Sequence, residues 1–300
     1  MPQSNHLSFV ETDRLRIGFE TSGPPEAPAV ILLHGWPDDV RTWDSFLRPL
    51  RAAGYRVIRP YLRGYGPTSF LSESTPRSGQ LAALGSDLMA FADALGLERY
   101  GVIGHDWGAR AAYIAASQTP ARISHCIALS VGWGTNTPDQ TLSLPQARNY
   151  WYHWFLATSR GEAELRNERR ALTRFMWNTW SPSWKFADSE FANTAASFDN
   201  PDWADICLHS YRHRWGFADG DPAYAALEAR LQETPRIMVP TLVLHGTDDG
   251  ANDPSTSEDK QQHFGNAYRR VLIAGAGHFP QREKPDEVIE EVLAWLARPA

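Results

Sequence analysis

Residues 104–108 (GHDWG) are the segment of this sequence best suited to chemistry. An apolar run at 100–103 precedes them and small residues at 109–117 follow, which predicts a buried strand, a sharp turn and a helix. Glycines suit both ends of such a turn, because a Cβ there would clash where the strand and the helix close on each other. The turn would present Asp106, whose carboxylate is charged at neutral pH and is a nucleophile without an activating base.

A carboxylate nucleophile favours one class of reaction. Its attack on an ester would give a high-energy anhydride, so an esterase is not expected. Its attack on a saturated carbon would instead give an alkyl ester and expel a leaving group. Hydrolysis of that ester requires a general base that activates water and preorganised donors for the oxyanion.

Two later segments supply candidates for the base and its partner. Residues 246–249 (GTDD) and 275–280 (GAGHFP) each follow a short apolar run. Of the ten histidines, only His278 lies in a glycine-bracketed loop after a predicted strand, with a carboxylate one strand earlier. We therefore expect His278 to be the base and a carboxylate of 246–249 to orient its ring. The chain order is nucleophile, acid, histidine.

Alternating strands and helices must position these residues. The alternation predicts a mostly parallel, doubly wound sheet, in which ligands bind at the carboxyl ends of the strands. Apolar runs and alternation predict strands at 7–10, 15–20, 29–33, 55–60, 100–103, 123–130, 240–245 and 268–273. Helical periodicity predicts helices at 41–53, 81–95, 109–117 and 286–296.

The alternation stops between 132 and 236. This stretch has amphipathic helical segments, no buried strand, and eight of the twelve tryptophans: Trp133, Trp151, Trp154, Trp177, Trp180, Trp184, Trp203 and Trp215. It is typical of a helical subdomain inserted above the sheet. We therefore expect a core domain at 1–131 and 237–300 and a helical cap at 132–236.

Taken together, these motifs resemble those of α/β-hydrolases in the branch of epoxide hydrolases and haloalkane or haloacid dehalogenases. The likeness covers nearly the whole chain and rests on residues 34–37 (HGWP), 63–66 (RGYG), 104–108, Asp249 and 277–278 (GH). It implies an α/β-hydrolase fold, with an eight-stranded, mostly parallel sheet, flanking helices and an inserted cap. It also implies an Asp106–His278–Asp249 triad, because the spacing from Gly246 matches Asp249 better than Asp248.

The same resemblance implies further site residues. The backbone N–H groups of Trp36 and Trp107 occupy the oxyanion-hole positions, and a cis peptide bond is implied before Pro37. In epoxide hydrolases two cap tyrosines hold the ring oxygen, and Tyr152 and Tyr211 resemble those two positions. A phenolic O–H can supply the hydrogen bond or proton that an epoxide oxygen needs as it leaves.

A halide leaving group is the alternative. Tyr152, His153 and Trp154 also resemble fluoroacetate dehalogenases, in which a histidine, a tryptophan and a cap tyrosine bind the halide. Those enzymes place an arginine directly after the nucleophile, where this chain has Trp107, although Arg110 matches their second arginine. Haloalkane dehalogenases share the tryptophan after the nucleophile but have asparagine at the position of Trp36.

We therefore predict an epoxide hydrolase, with a dehalogenase as the alternative. A non-catalytic ligand-binding protein on the same scaffold is the second alternative. His153, Trp154 and His105 are predicted to line the substrate and leaving-group pocket. The aromatic cap favours a small apolar epoxide as substrate, and no cofactor or metal is expected. The chain is compatible with a monomer or a homodimer.

Composition excludes other partners. The charged share is 21%, the net charge is −6 and no basic stripe occurs, so nucleic acid and anionic membranes are not expected partners. Residues 1–9 lack the pattern of a signal peptide, and no apolar run reaches the ~18 residues of a membrane span. Cys126 and Cys207 are expected to be buried thiols. These features predict a cytoplasmic protein.

Overall fold

The computed structural model describes residues 6–135 and 141–299. Within these residues nine strands form one sheet: β1 (His6–Glu11), β2 (Leu15–Ser22), β3 (Ala29–Leu33), β4 (Arg56–Pro60), β5 (Ser69–Phe70), β6 (Tyr100–His105), β7 (Ile123–Leu129), β8 (Thr241–Gly246) and β9 (Tyr268–Ile273). The order is β1-β2-β4-β3-β6-β7-β8-β9, and β5 pairs with β2 at the side. The eight predicted strands are confirmed. β5 was missed because two residues carry no periodic signal.

Most of the sheet is parallel. β4, β3, β6, β7, β8 and β9 pair in parallel, whereas β1 and β2 pair antiparallel at one edge. Every residue of β3 is buried, and its successive side chains enter opposite layers. Ile31 and Leu33 belong to one hydrophobic cluster, and Val30 and Leu32 belong to the other. Burial on both faces explains why this strand reads as a continuous apolar run.

Helices cover both faces of the sheet and fill the long segment between β7 and β8. Those outside that segment are α1 (Leu47–Ala52), α2 (Leu81–Ala94), α3 (Trp107–Gln118), α11 (Pro280–Glu283) and α12 (Pro285–Leu296). Between the two strands lie α4 (Leu144–Asn149), α5 (Trp151–Leu156), α6 (Ser159–Asn167), α7 (Arg169–Trp180), α8 (Asp188–Ala195), α9 (Trp203–Arg214) and α10 (Ala225–Gln232). None of the helices among the described residues is both long and apolar enough to cross a bilayer.

The predicted helix at 41–53 is divided in the structure. Val40–Phe46 is a 3₁₀ helix, and the α-helix α1 begins only at Leu47. Pro49 explains this start, because proline has no N–H to donate and is tolerated only in the first turn of an α-helix. The Asp39 side chain accepts a hydrogen bond from the Arg41 N–H and starts the 3₁₀ segment.

The described residues of 132–236 contain helices and no strand, and they pack on the loops that follow the core strands. For example, the Trp177 indole N–H donates to the Pro37 carbonyl at 2.8 Å. Residues 136–140 of the predicted cap, and residues 1–5 and 300 of the predicted core, lie outside the described residues. Cys126 and Cys207 are buried free thiols, as predicted.

The glycines of β6 give a test of the predicted strand-to-helix turn. A Cβ at Gly104 would lie 2.2 Å from the Gly108 carbonyl oxygen, whereas a Cβ at Gly101 would meet nothing closer than 3.4 Å. Gly104→Ala should therefore lower the free energy of unfolding by more than about 2 kcal/mol, because the backbone must shift to relieve the overlap. Gly101→Ala is the matched control and should change it by less than about 1 kcal/mol. Equal urea midpoints for the two variants would contradict this account.

Candidate active site

Asp106 lies at the sharp turn between β6 and α3. Its φ is 49° and its ψ is −112°, a conformation that L residues rarely adopt. The surrounding backbone comes so close that a Cβ at Gly35 would lie 2.5 Å from the Asp106 Cβ. Such strain persists only where neighbouring structure enforces it, and it is common at functional sites.

A backbone donor already contacts this carboxylate. The Trp36 N–H donates to Asp106 Oδ1 at 2.9 Å. The Trp36–Pro37 peptide bond is cis, as the resemblance implies. Trp107 is the first residue of α3, and the first N–H groups of a helix have no acceptor within the helix. Both predicted oxyanion-hole residues therefore flank Asp106 in space.

His278 and Asp249 come together at the same edge of the sheet. The loop after β9 carries His278, and the loop after β8 carries Asp249. His278 Nδ1 lies 3.0 and 2.9 Å from the two carboxylate oxygens of Asp249, so this nitrogen carries the proton and donates it. His278 Nε2 then has a free lone pair and lies 3.9 Å from Asp106 Oδ2. It makes no hydrogen bond with any residue that the structure describes.

Asp249 is held as a buried carboxylate. Its Oδ1 accepts the N–H groups of Ala251 and Asn252 at 2.8 and 2.9 Å, and its Oδ2 accepts from His245 Nε2 at 3.2 Å. Burial by itself would raise the pKa of Asp249, but the charge of His278 and the hydrogen bonds of His245 and His278 outweigh it. The pKa therefore lies well below its usual range. Asp248 is exposed and bonds to Thr247 instead.

The backbone of His278 is fixed from two sides. Its N–H donates to Ser181 Oγ at 2.9 Å and to the Trp180 carbonyl at 3.1 Å, both at the end of α7. Its carbonyl accepts from Ser130 Oγ at 2.9 Å and from His105 Nε2 at 2.7 Å. The two serines carry no local sequence signal, and sequence reasoning missed them.

Two predicted pocket residues take other positions. The His105 ring packs against the ring of His278 at 4.8 Å and bonds to the His278 carbonyl. His105 therefore supports the loop that carries His278 and does not face the pocket. Burial is the main reason that its pKa falls to about 4. Trp154 is 37% exposed, and its indole N–H approaches the Ala147 carbonyl at 3.4 Å. These placements correct the pocket assignment of both residues.

Tyr152 and Tyr211 are both brought to Trp36. The Tyr152 ring stacks on the Trp36 indole with centroids 5.5 Å apart, and the Tyr211 ring meets it edge-on at 5.2 Å. Both tyrosines are buried. Burial is the main cause that raises the pKa of each phenol well above its usual value, and the negative charge of Asp106 adds to it. Both phenols therefore stay protonated at neutral pH and keep an O–H to donate.

His153 adds a further donor beside these tyrosines. Its Nδ1 accepts the indole N–H of Trp215 at 2.9 Å, so the ring proton of the neutral imidazole lies on Nε2. Burial and the charge of Arg214 lower the pKa of His153 well below its usual value and keep it neutral. Nε2 is buried and bonds to none of the described residues. Trp215, which sets this tautomer, is 62 residues away and was not predicted.

No cluster of potential metal ligands occurs within residues 6–135 and 141–299. The site instead combines a strained carboxylate, a histidine paired to a second carboxylate, and several neutral N–H and O–H donors. Such a set supports nucleophilic attack followed by base-assisted hydrolysis.

The pairing of His278 with Asp249 predicts an unusual titration. Burial lowers the pKa of His278, but the charge and hydrogen bond of Asp249 outweigh burial and raise it overall. Asp249→Asn should therefore lower the pKa of His278, because burial would then be opposed chiefly by the charges of Asp106 and Glu283. Histidine ring resonances followed by NMR against pH measure this pKa. Asp248→Asn is the control, because it removes one negative charge next to Asp249. It should leave the pKa of His278 nearly unchanged, and equal effects of the two variants would contradict the pairing.

Comparisons with known proteins agree with this architecture. Residues 28–285 match the family described as alpha/beta hydrolase fold. Epoxide hydrolase A of Mycobacterium tuberculosis is 29% identical over 313 aligned positions, covering 96% of each chain.

Two solved structures extend the likeness. One, described as a "putative epoxide hydrolase" from Klebsiella pneumoniae, superposes with a TM-score of 0.91 at 36% identity over 97% of each chain. Epoxide Hydrolase A of Mycobacterium thermoresistibile superposes with a TM-score of 0.79 over 99% of each chain, and at 24% identity it supports the fold alone. By its sequence, its sheet and these relatives, the chain is an enzyme that belongs to the α/β-hydrolase fold family.

Proposed function

We propose that this protein is an epoxide hydrolase that works through a covalent ester on Asp106. The observation that carries the proposal is the position of the free Asp106 Oδ2, which faces His278 Nε2 at 3.9 Å while Oδ1 is held by the Trp36 N–H. Relatives described as epoxide hydrolases align over nearly the whole chain and support the same reaction class.

In the first step Asp106 Oδ2 attacks a ring carbon of the epoxide. The ring C–O bond breaks, and its electron pair stays on the oxygen, which takes a proton from the hydroxyl of Tyr152 or Tyr211. The product is a hydroxyalkyl ester on Asp106 and a tyrosinate. The two phenols suit this task because negative charge develops on the oxygen only as the ring opens.

In the second step His278 Nε2 removes a proton from water, and the oxygen attacks the ester carbonyl carbon of Asp106. The N–H groups of Trp36 and Trp107 stabilise the oxyanion. Collapse expels the diol oxygen, which takes the proton from His278, and the Asp106 carboxyl returns its proton to the tyrosinate. Asp249 keeps the imidazole in the tautomer that leaves Nε2 basic.

We propose that the predicted core and cap domains contribute different residues to this mechanism. The core at 1–131 and 237–300 would carry the triad and the backbone donors. The cap at 132–236 would carry the two tyrosines and the apolar wall against which a small epoxide binds. Removal of water by that wall strengthens each polar interaction within the site.

A dehalogenase is the second candidate, and His153 is the observation that favours it. Its Nε2–H is a buried donor that could hold a halide together with the tyrosine hydroxyls. The turn of the Trp154 indole toward Ala147 removes one donor that a fluoroacetate dehalogenase site would use. We therefore rank the epoxide first.

Trapping the ester tests the two-step scheme. His278→Gln should still be alkylated but should not hydrolyse the ester, because only the second step needs the base. Mass spectrometry after incubation with styrene oxide should show one substrate mass added to the peptide that contains Asp106. A folded Asp106→Ala protein is the control and should show neither the adduct nor turnover. A His278→Gln protein that binds styrene oxide yet stays unmodified would refute the scheme.

Hydroxyl deletion separates the two leaving groups. Tyr152→Phe and Tyr211→Phe should each lower the single-turnover alkylation rate with styrene oxide by ~10²-fold, within the usual range for a positioned acid. Ester hydrolysis should hardly change, since it uses His278. Tyr150→Phe is a matched control, because its hydroxyl donates to Asn252 at 2.8 Å. If His153→Ala lowers the rate more than the tyrosine variants do, and fluoroacetate is turned over faster than styrene oxide, the leaving group is a halide.

A further inference from the structure

A cavity of about 380 Å³ lies one helical turn beyond Asp106. Arg110, on α3, lines it on the core side, and Ser210, Arg214 and Trp215 line it on the cap side. Asp106 itself is outside the lining, but the Arg110 N–H bonds to the Asp106 carbonyl at 3.1 Å. The volume is within the usual range for small-molecule sites. The cavity is thus a separate space that is close enough to hold one end of a substrate.

The cavity has an excess of positive charge. Arg110 is 6% exposed, and burial and the charge of Arg214 lower its pKa from the ordinary value. Glu228 is the carboxyl in the lining, and it accepts from the Ala82 N–H at 3.3 Å and from Gln80 at 3.4 Å. Burial raises the pKa of Glu228. Two guanidinium groups therefore line the cavity together with one carboxyl, that of Glu228.

The Arg214 guanidinium has N–H groups without an acceptor among the described residues. Its Nε and Nη2 atoms are buried and bond to none of the residues that the structure describes. Its guanidinium carbon lies 5.3 Å from the centre of the Tyr211 ring, which places it next to a proposed ring-opening acid. Buried donors without an acceptor are costly, so a ligand group that accepts from these two atoms would be stabilised here, and an anion most of all.

We propose that this cavity binds the carboxylate of the substrate, so that the preferred epoxide carries a carboxylate on a short apolar chain. The proposal rests on the proposed function for the reacting end. A guanidinium matches a carboxylate through two parallel N–H···O bonds, and a second guanidinium adds charge. Arg110 supplies one guanidinium from the core side, and Arg214 supplies the other from the cap side.

The walls explain why the chain would be apolar. Leu81, Tyr113, Ile114, Trp133 and Leu231 line the cavity around the two arginines. An alkyl chain would pack against these side chains while its carboxylate reaches the guanidinium groups. A purely apolar epoxide would leave the buried donors of Arg214 without an acceptor. The apolar epoxide expected from the sequence thus becomes an epoxide with an anionic end.

The test compares two substrates that differ only in charge. One is a terminal epoxide joined by a short alkyl chain to a carboxylate, and the other is its methyl ester. The wild type should show a higher kcat/KM for the carboxylate. Arg214→Gln should reduce the ratio of the two kcat/KM values by about 10- to 100-fold, because a charge-assisted pair is lost. Arg214→Lys should recover part of the ratio, and Arg48→Gln, an exposed arginine on α1, should not alter it.

Heptanoate provides a readout that does not need turnover. It should bind the wild type in calorimetry, whereas hexanol should bind far more weakly. Equal kcat/KM ratios in the wild type and Arg214→Gln, or equal binding of heptanoate and hexanol, would overturn the carboxylate site. If neither epoxide is turned over but heptanoate binds and Arg214→Gln weakens it, the carboxylate site stands and the proposed reaction fails.

Discussion

The close approach of three backbone segments at Asp106 is the constraint on which the site depends. A Cβ at Gly108 would lie 2.4 Å from the Leu33 carbonyl oxygen, and one at Gly104 would lie 2.2 Å from the Gly108 carbonyl oxygen. Without these glycines α3 could not begin directly against the end of β3. That contact brings the Trp36 N–H to the Asp106 carboxylate, and it holds Asp106 at a positive φ.

Burial of charge is the second organising force. Asp249 and His278 are both buried, and each is tolerable only because the other and several backbone N–H groups stabilise it. The Trp180 carbonyl accepts the N–H of Gly250 at 3.0 Å and that of His278 at 3.1 Å. The end of α7 thus joins the loops that carry Asp249 and His278, so the helical segment contributes to the geometry of the proposed triad.

The polar groups beside Asp106 fall into two kinds. Tyr152, Tyr211 and His153 are kept neutral by burial and remain donors at neutral pH. Arg110 and Arg214 keep positive charge at the cavity one turn away. Neutral donors suit an oxygen whose charge appears only during reaction, whereas permanent cations suit a group that is charged from the start. This separation is the physical basis for assigning the two ends of one substrate.

The sequence alone determined the features that depend on local pattern. Buried parallel strands appear as apolar runs, so 29–33 was predicted with the bounds that β3 has in the structure. Glycine spacing located the turn at Asp106 and the loop of His278, although distant residues, Leu33 and Ser181, are what exclude a Cβ at Gly108 and Gly277. The division of 41–53 into a 3₁₀ helix and α1 was missed, although Pro49 carried the signal.

Only the tertiary structure decided which distant side chains meet. Trp154 is adjacent to His153 in the sequence, yet the indole that donates to His153 is that of Trp215, and Trp154 lies at the surface. Ser181 and Ser130 reach His278 across 97 and 148 residues. Arg214 joins Arg110 at one cavity in the same way. Such pairings depend on how helices and loops pack in three dimensions, and no periodicity or spacing along the chain encodes them.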